Sequence, residues 1–268
     1  MAVTRRNYIF GAFISSVLCV ILTIVAISSD SWIVSTASAA NQEQDSTVRY
    51  GMFRGEFALY IFATPSYNTL YMTCIPDLNA CAVSCKTEAL AREEEVRALA
   101  SGYRTNQACI AVTTVDTTNP LEVPPVISFG VYVATLLLLF LKLLLAVLAA
   151  SLAILNATRN PTEPVFGLPG CLWTNVATTI VGLTVMLMFG IYWATSTLQD
   201  HLAFSFIALG GLTPSPGLGY SYWLLIGAIL CSAMNVVLIE LRKYLLERDP
   251  PPPTIKLENH SDGSIFLY

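Results

Sequence analysis

Charged residues are scarce in this chain of 268 residues. Asp, Glu, Lys and Arg make up only 12% of the sequence, whereas apolar residues make up 54%. The mean hydropathy is +0.61, and such a composition lies outside the usual range of a soluble globular domain. The shortage of charge therefore excludes an ordinary water-soluble protein and predicts an integral membrane protein.

Residues that commonly support catalysis are also scarce. The chain has two histidines, His201 and His260, and neither has a nucleophile or a second metal ligand at a useful spacing. No phosphate-binding loop, dinucleotide fingerprint or metalloprotease motif occurs. The run of Glu93, Glu94 and Glu95 is explained more simply as a solvated helix face than as a cation site. We therefore expect a protein that is not an enzyme and needs no cofactor.

Long apolar runs take the place of these missing features. Four of them reach about 20 residues, which is enough for a helix to cross a hydrocarbon core of roughly 30 Å. They are residues 8–28, 126–155, 171–198 and 221–241. The first run could instead be a signal peptide, but it exceeds the usual apolar length of about 7 to 15 residues.

The basic residues near these runs predict the orientation of the chain. Those on one side are Arg5, Arg6, Arg159, Arg242, Lys243 and Arg248. The opposite loop, residues 199–220, has no Lys or Arg, so the basic side should be cytosolic. The predicted cytosolic parts are the N-terminus (1–7), a loop (156–170) and a proline-rich tail (242–268), and the long loop of residues 29–125 should be extracellular.

The long loop is the one segment outside the spans that is large enough to fold by itself. VRYGMFRGEFALYIF (48–62) is rich in aromatic and β-forming residues and predicts one or two strands. Residues 86–102 place Leu90, Val96 and Leu99 against a charged face, which predicts a short amphipathic helix. The loop has 11 acidic and 6 basic residues, which argues against nucleic acid as a partner.

Four of the seven cysteines lie in this loop, namely Cys74, Cys81, Cys85 and Cys109. An even number of cysteines in an oxidising compartment predicts two disulfides, and all three connectivities stay open. A zinc site is the alternative, but the spacings of seven and four residues fit it poorly. The predicted fold class is an all-α membrane protein: four spanning helices and a disulfide-bonded extracellular loop with a small β-sheet and a short helix.

Polar side chains interrupt the apolar spans in the half predicted to be cytosolic. Lys142 stands in the run TLLLLFLKLLLAVLAASLAIL (135–155), and Asn175, Asn235 and Glu240 fall at similar depth. These four residues form a candidate intramembrane polar cluster. A charge at this depth must snorkel or be paired, so Lys142 either reaches the headgroups or contacts Asn235 or Glu240. A transport role is a third possibility.

The last 21 residues, RDPPPPTIKLENHSDGSIFLY (248–268), combine a polyproline stretch and a polar segment with an apolar tip. The apolar tip can be an incidental hydrophobic end. The alternative is a docking motif in which Phe266, Leu267 and Tyr268 add a strand to a PDZ-like groove of a cytosolic scaffold.

Several short stretches resemble known membrane proteins. Four spans, a large first outer loop and the tryptophan in SSDSWIVS (28–35) resemble the claudin, peripheral-myelin and stargazin-like superfamily. Further stretches resemble the clarin family: RYGMFRGE (49–56), LNATRNPTEPVFGLPG (155–170), VMLMFG (185–190) with DHL (200–202), SYWLLIGAILCSAMNVVLIEL (221–241) and IFLY (265–268). The claudin-type cysteine pair shortly after the tryptophan is absent, because the first cysteine of the loop is Cys74.

The resemblance implies a clarin-like adaptor or auxiliary subunit of the plasma membrane. Such a protein organises, traffics or stabilises a partner membrane complex in sensory cells or synapses. The implied partners are an integral membrane protein, such as an ion channel or a mechanosensory complex, besides lipid and the cytosolic scaffold. A stargazin-type ion-channel auxiliary subunit and a claudin-like cell-adhesion protein are the two alternatives.

Overall fold

The computed structural model of the protein describes residues 2–38, 46–60, 66–105, 115–116, 124, 126–158, 165–196 and 213–248. It has two layers, a bundle of four long helices and an antiparallel sheet on one end of the bundle. The helices are α1 (Ala2–Ser28), the short α2 (Ala89–Ala100), α3 (Phe129–Thr158), α4 (Leu168–Thr195) and α5 (Tyr220–Arg248). The strands are β1 (Ile33–Ser38), β2 (Ser46–Tyr50), β3 (Arg54–Leu59), β4 (Ser66–Ile75), β5 (Ala80–Ser84), β6 (Arg104–Thr105), β7 (Val115–Asp116), β8 (Ile127–Ser128) and β9 (Thr213–Leu218).

The four long helices confirm that the chain is a multi-pass membrane protein, because each is long and apolar enough to cross a membrane. Going round the bundle, α1 contacts α3, α3 contacts α4, α4 contacts α5 and α5 contacts α1. Each helix extends beyond at least one end of its predicted apolar run, but α3 begins at Phe129 rather than at 126, because Ile127–Ser128 form β8, and α4 ends at Thr195 rather than at 198. At the end away from the sheet, α5 continues to Arg248. The added residues include Leu, Arg, Lys and Glu, which are good helix formers and prolong a helix into water.

The sheet corrects the predicted fold class. Seven strands pair antiparallel in the order β8-β5-β4-β3-β2-β1-β9, and β6 and β7 form a separate pair. The strands predicted within residues 48–62 correspond to β2 and β3, but β9 comes from the second loop and pairs with β1. The protein is therefore not an all-α bundle with a small sheet. The strands β1 to β5 pair in chain order, whereas the two edge strands pair with partners that are distant in sequence, β8 with β5 and β9 with β1.

One face of the sheet shares a core with the nearby end of the bundle, which we call the sheet-side end. Trp32 is fully buried there, and its Nε1 donates a hydrogen bond to the Ala26 carbonyl at 2.5 Å. Its ring meets Phe189 and Tyr222 edge-on, with centroids 5.3 and 6.0 Å apart. The strands contribute Ile33, Val48, Tyr50, Phe57 and Leu70 to this core, and the helices contribute Leu139, Val185, Trp193 and Leu225.

The helix predicted within residues 86–102 is α2, which lies on the sheet over β4 and β5. Val96 and Leu99 are buried there as expected. Leu90 is 75% exposed, so its predicted place on the buried face was wrong, and Glu95 is buried instead. The buried stripe follows positions 95, 96 and 99, which lie on one side of a helix of 3.6 residues per turn; Leu90 lies in the first turn, outside this stripe.

The cysteines of the long loop are oxidised where they are described. Cys74 and Cys81 are directly paired in the β4–β5 hairpin and form a disulfide with a Cα–Cα distance of 4.1 Å. Cys85 is also disulfide-bonded, whereas Cys109 lies outside the described residues. Cys19, Cys171 and Cys231 are free. Oxidised Cys74, Cys81 and Cys85 cannot serve as thiolate ligands of zinc in this state.

Candidate functional site

From the level of Lys142, near the middle of α3, to the end away from the sheet, a region that we call the far half, the bundle interior contains polar side chains. Lys142, Asn175 and Asn235 are all buried there, each with no more than 1% of its surface exposed. Of the four predicted cluster residues, Glu240 is the exception, because it is exposed on α5. Ile239 takes the inward position one turn after Asn235, and the next residue, Glu240, points away from that side.

Asn235 links three helices. Its Nδ2 donates to Ser16 Oγ on α1 at 2.8 Å and to Asn175 Oδ1 on α4 at 3.0 Å. One turn nearer the sheet, the hydroxyl of Thr179 donates to Ser232 at 2.9 Å. Water does not compete for such groups inside the bilayer, yet each interhelical bond typically contributes only about 0.6 kcal/mol. The network therefore sets the register of α1, α4 and α5 more than it adds stability.

Lys142 on α3 lies inside the bundle without a partner. It is 0% exposed, and its Nζ has no hydrogen-bond acceptor in the described part of the chain. Space for the ammonium exists because residue 182 is glycine: a Cβ at Gly182 would lie 3.1 Å from Lys142 Nζ and 2.8 Å from Ile229 Cγ1. Lys142 therefore does not snorkel to the headgroups, since neighbouring helices enclose it, and its Nζ makes no bond to Asn235 or Glu240.

The polar interior ends on the sheet side of Lys142. Leu139, Val185 and Leu225 are fully buried there and belong to the shared core. The buried hydroxyls of Thr23, Thr135 and Tyr222 in this part of the bundle are bonded to the backbone carbonyls of Cys19, Val131 and Met186. Within the described ranges, no polar path crosses the whole bundle, so the arrangement suits a packed core better than a conducting pathway.

The sheet presents a second candidate site on the face opposite the bundle. Side chains alternate along a strand. The exposed Arg49, Tyr67, Thr69 and Tyr71 and the half-buried Glu56 share this face, which we call the open face. Arg49 Nη2 lies 2.6 Å from Glu56 Oε2, and this hydrogen bond raises the pKa of Arg49. Tyrosine and arginine are enriched at the energetic centres of protein interfaces.

Two further contacts hold the aromatic rings of the open face. The hydroxyls of Tyr60 and Tyr67 lie 3.0 Å apart, and their rings meet edge-on. The guanidinium of Arg92 on α2 lies 5.3 Å from the centre of the Tyr71 ring, within the range of a cation–π contact. These contacts pre-order large side chains, so that binding a partner would cost less conformational entropy.

A buried ionisable pair beneath α2 was missed by sequence reasoning. Glu93 and Glu94 are exposed, as predicted for a solvated helix face, but the prediction was wrong for Glu95. Glu95 is 2% exposed and accepts a hydrogen bond from the Ser84 hydroxyl. Desolvation raises the pKa of Glu95, although Ser84 and the Lys86 charge act in the opposite direction. Lys86 is buried too, and its Nζ has no hydrogen-bond partner among the described residues. The signal that could have found Glu95 is its position next to Val96 and one turn before Leu99.

Several predicted site residues cannot be placed. The tail docking residues Phe266, Leu267 and Tyr268 lie outside the described residues, and so do His201 and His260. In the part of the chain that the structure describes, no three His, Cys, Asp or Glu side chains come together as a metal site.

Comparisons of the chain with protein-family models and with curated proteins found no match. What the protein does has to follow from its own residues.

Proposed function

We propose that the protein is a non-enzymatic, clarin-like adaptor or auxiliary subunit that binds and organises a partner membrane complex. The observation that carries the proposal is the open face of the sheet, where tyrosine, arginine and threonine side chains are exposed beside α2 in the described part of the chain. In this proposal the sheet is extracellular, both termini are cytosolic and the membrane is the plasma membrane, in sensory cells or synapses. The tail would add a cytosolic scaffold as a second partner.

The attachment of the sheet to the bundle supports a binding role. The face opposite the open face packs on the spanning helices through the shared core, and the Cys74–Cys81 disulfide closes the β4–β5 hairpin. A surface fixed in this way keeps a constant orientation relative to the membrane. It can therefore grip a neighbouring membrane protein whose own orientation is fixed by the same bilayer.

The bundle interior supports an auxiliary rather than a transporting role. Among the described residues the polar interior stops at Lys142, and apolar side chains close the sheet-side half. A transported ion would need polar groups or water along its whole route. The partner, such as an ion channel or a mechanosensory complex, would supply any conduction.

The edges of the sheet argue against the alternative of a cell-adhesion protein that assembles by joining sheets. One edge, β9, has Pro214 and Pro216 within its six residues, and the other edge, β8, has only two residues. Proline has no N–H to donate, and short or proline-containing edges resist the addition of another strand. Homotypic assembly by sheet extension is therefore disfavoured relative to binding through the open face.

Native purification tests the proposal. The full chain would be recovered from native membranes in mild detergent, and the stoichiometry of co-purifying membrane proteins would be measured by mass spectrometry. The double variant Tyr67→Ala/Thr69→Arg changes two exposed side chains of the open face. Tyr244→Ala at the far end of α5 changes an exposed tyrosine away from the sheet and serves as the matched control.

We expect one membrane partner at a fixed ratio with the wild-type chain and with Tyr244→Ala, and its loss with the open-face variant. A channel as that partner would favour the auxiliary subunit, whereas aggregation of cells that express the chain alone would favour adhesion. Equal recovery of every membrane protein with all three chains would contradict binding through the open face.

A further inference from the structure

The sheet-side ends of the four spanning helices are held at one level by side-chain hydrogen bonds. Ser29, directly after α1, donates through Oγ to Ser221 Oγ in the first turn of α5 at 2.6 Å. Tyr192, in the last turn of α4, accepts a hydrogen bond on its hydroxyl from the Ser128 backbone N–H, directly before α3, at 2.9 Å. The four ends therefore form one layer, where the chain leaves the membrane.

Exposed aromatic residues mark this layer as the lipid–water boundary. Tyr220 and Trp223, in the first turn of α5, are each more than half exposed. Tyrosine and tryptophan concentrate at the headgroup level of membrane proteins, because their rings are amphipathic.

The turn between β2 and β3 lies at the same level. Tyr132 on α3 donates from its hydroxyl to the Met52 carbonyl at 2.6 Å, and Tyr132 is only about 4.5 Å along the axis from the first residue of α3. The next residue of the turn, Phe53, is 47% exposed. A large apolar ring is thus presented to the surroundings beside the first turn of a spanning helix.

The turn between β4 and β5 reaches this level as well. The Asn79 carbonyl accepts from the Phe129 N–H at 3.1 Å, and Asn79 Oδ1 accepts from the Gly130 N–H at 3.2 Å. Asn79 thereby satisfies two N–H groups that the start of α3 leaves free. The preceding residue, Leu78, is 45% exposed.

We propose that Phe53 and Leu78 insert into the headgroup–acyl boundary of the bilayer and seat the sheet on the membrane. Lipid is the occupant that fits, because both turns are bonded to the first turn of a spanning helix. That helix carries its own exposed apolar residue, Leu137, about two turns further on. The surface is therefore continuous with the lipid-facing surface of α3. The neighbouring residues Arg54 and Asp77 are exposed and stay at the level of the polar headgroups.

Site-specific photocrosslinking in phosphatidylcholine nanodiscs tests this proposal on the full chain. Benzoylphenylalanine would replace Phe53 or Leu78 in separate preparations, and intact mass would identify the crosslinked species. Leu137, on the lipid-facing surface of α3, is the positive control. Tyr67, exposed at the opposite end of β4 from the Leu78 turn, is the negative control.

We expect phospholipid adducts at positions 53 and 78 in yields comparable to position 137, and a yield near background at position 67. Yields at 53 and 78 as low as at 67 would overturn the proposal. Crosslinks to a second copy of the chain would overturn it too, because they would show that protein covers these side chains. Formation of the Cys74–Cys81 disulfide reports that each preparation is folded.

A second measurement needs no substitution. Phe53 and Tyr67 are about equally exposed in the protein alone. Hydroxyl-radical footprinting of the unmodified protein in nanodiscs should oxidise Tyr67 readily but leave Phe53 protected by lipid. Equal oxidation of the two rings would contradict insertion of Phe53 into lipid.

Discussion

The two halves of the helix bundle are built by opposite means. In the sheet-side half, Trp32, Phe189 and Tyr222 pack edge-on or tilted against one another, and the polar atoms of Trp32 and Tyr222 are bonded to backbone carbonyls. Besides an apolar cluster of Leu152, Ala153, Cys171 and Ile239, the far half buries amides, hydroxyls and an ammonium group. Two of its buried atoms, Lys142 Nζ and Asn235 Oδ1, have no hydrogen-bond partner among the described residues.

The difference follows from the solvent that each half displaces. The sheet-side half packs against a sheet that would otherwise face water, so burying apolar surface is strongly favourable there. In the far half, the helices leave lipid rather than water, and no hydrophobic force drives them together. Polar contacts then determine which helices pair and in which register.

The largest change in stability is expected from Trp32→Ala in the sheet-side half. Removing this buried ring leaves a cavity and breaks the hydrogen bond to Ala26, which should lower the free energy of unfolding by about 3 to 5 kcal/mol. Denaturant unfolding in lipid would measure the loss, with Trp223→Ala, at an exposed position, as the control. Equal losses from the two variants would remove the distinction between core and surface tryptophan.

The second test is Lys142→Met in the far half, which should act in the opposite direction. An unpaired ammonium in a low-dielectric interior is costly, and replacing buried charged groups with apolar ones of similar volume often stabilises a protein by about 1 to 4 kcal/mol. The same unfolding measurement would detect this gain. Lys243→Met, at an exposed position on α5, is the control and should change little. A loss of stability in Lys142→Met would show that the amine has an essential partner.

A double-mutant cycle of Asn175→Ala and Asn235→Ala measures the polar contact itself. The two side chains are 3.0 Å apart, so their coupling energy should be about 0.6 kcal/mol, and at most about 1.7 kcal/mol, in line with other interhelical bonds in membranes. Unfolding of the four chains of the cycle gives the value. A coupling energy of zero would mean that the amides are interchangeable with apolar residues.

The smallest effect is expected from Glu95, a buried charge that does have a partner. Burial raises its pKa above the ordinary 4.5, so the folded state binds this proton more tightly than the unfolded chain. The stabilisation from Glu95 is therefore complete below the ordinary pKa and is lost as the pH rises through the folded value. Because Ser84 and Lys86 oppose the shift, the change should be small.

Hydrogen exchange of α2 would reveal this dependence. Protection of the α2 amides, after correction for the intrinsic exchange rate, should fall between acidic and neutral pH in the wild-type chain, and the fall should be smaller in Glu95→Gln. Identical pH profiles of the two chains would show that Glu95 titrates in α2 as it does in the unfolded state.

Local features of the sequence predicted much of the fold. The four spans and α2 follow from apolar length and periodicity, which depend on neighbouring residues only. The sheet could not be predicted in the same way, because β1 and β9 pair Ile33 with Leu218 across most of the chain. Nothing local marks residues 213–218, with two prolines, as a strand. The open face was missed for a different reason, because strands were predicted only within residues 48–62 and β4 was not among them.

The sequence also predicted only part of the arrangement of the buried polar residues in the spans. The sequence by itself determined that Lys142, Asn175 and Asn235 must lie within spanning segments, because each stands inside an apolar run that only a membrane accommodates. Only the tertiary structure decided that Asn235 bonds to Asn175 while Lys142 lies opposite Gly182 with no hydrogen-bond partner among the described residues. The physical reason is that a helix as apolar all round as α3 carries no signal for which side faces its neighbours. The packing of the other three helices determines that side.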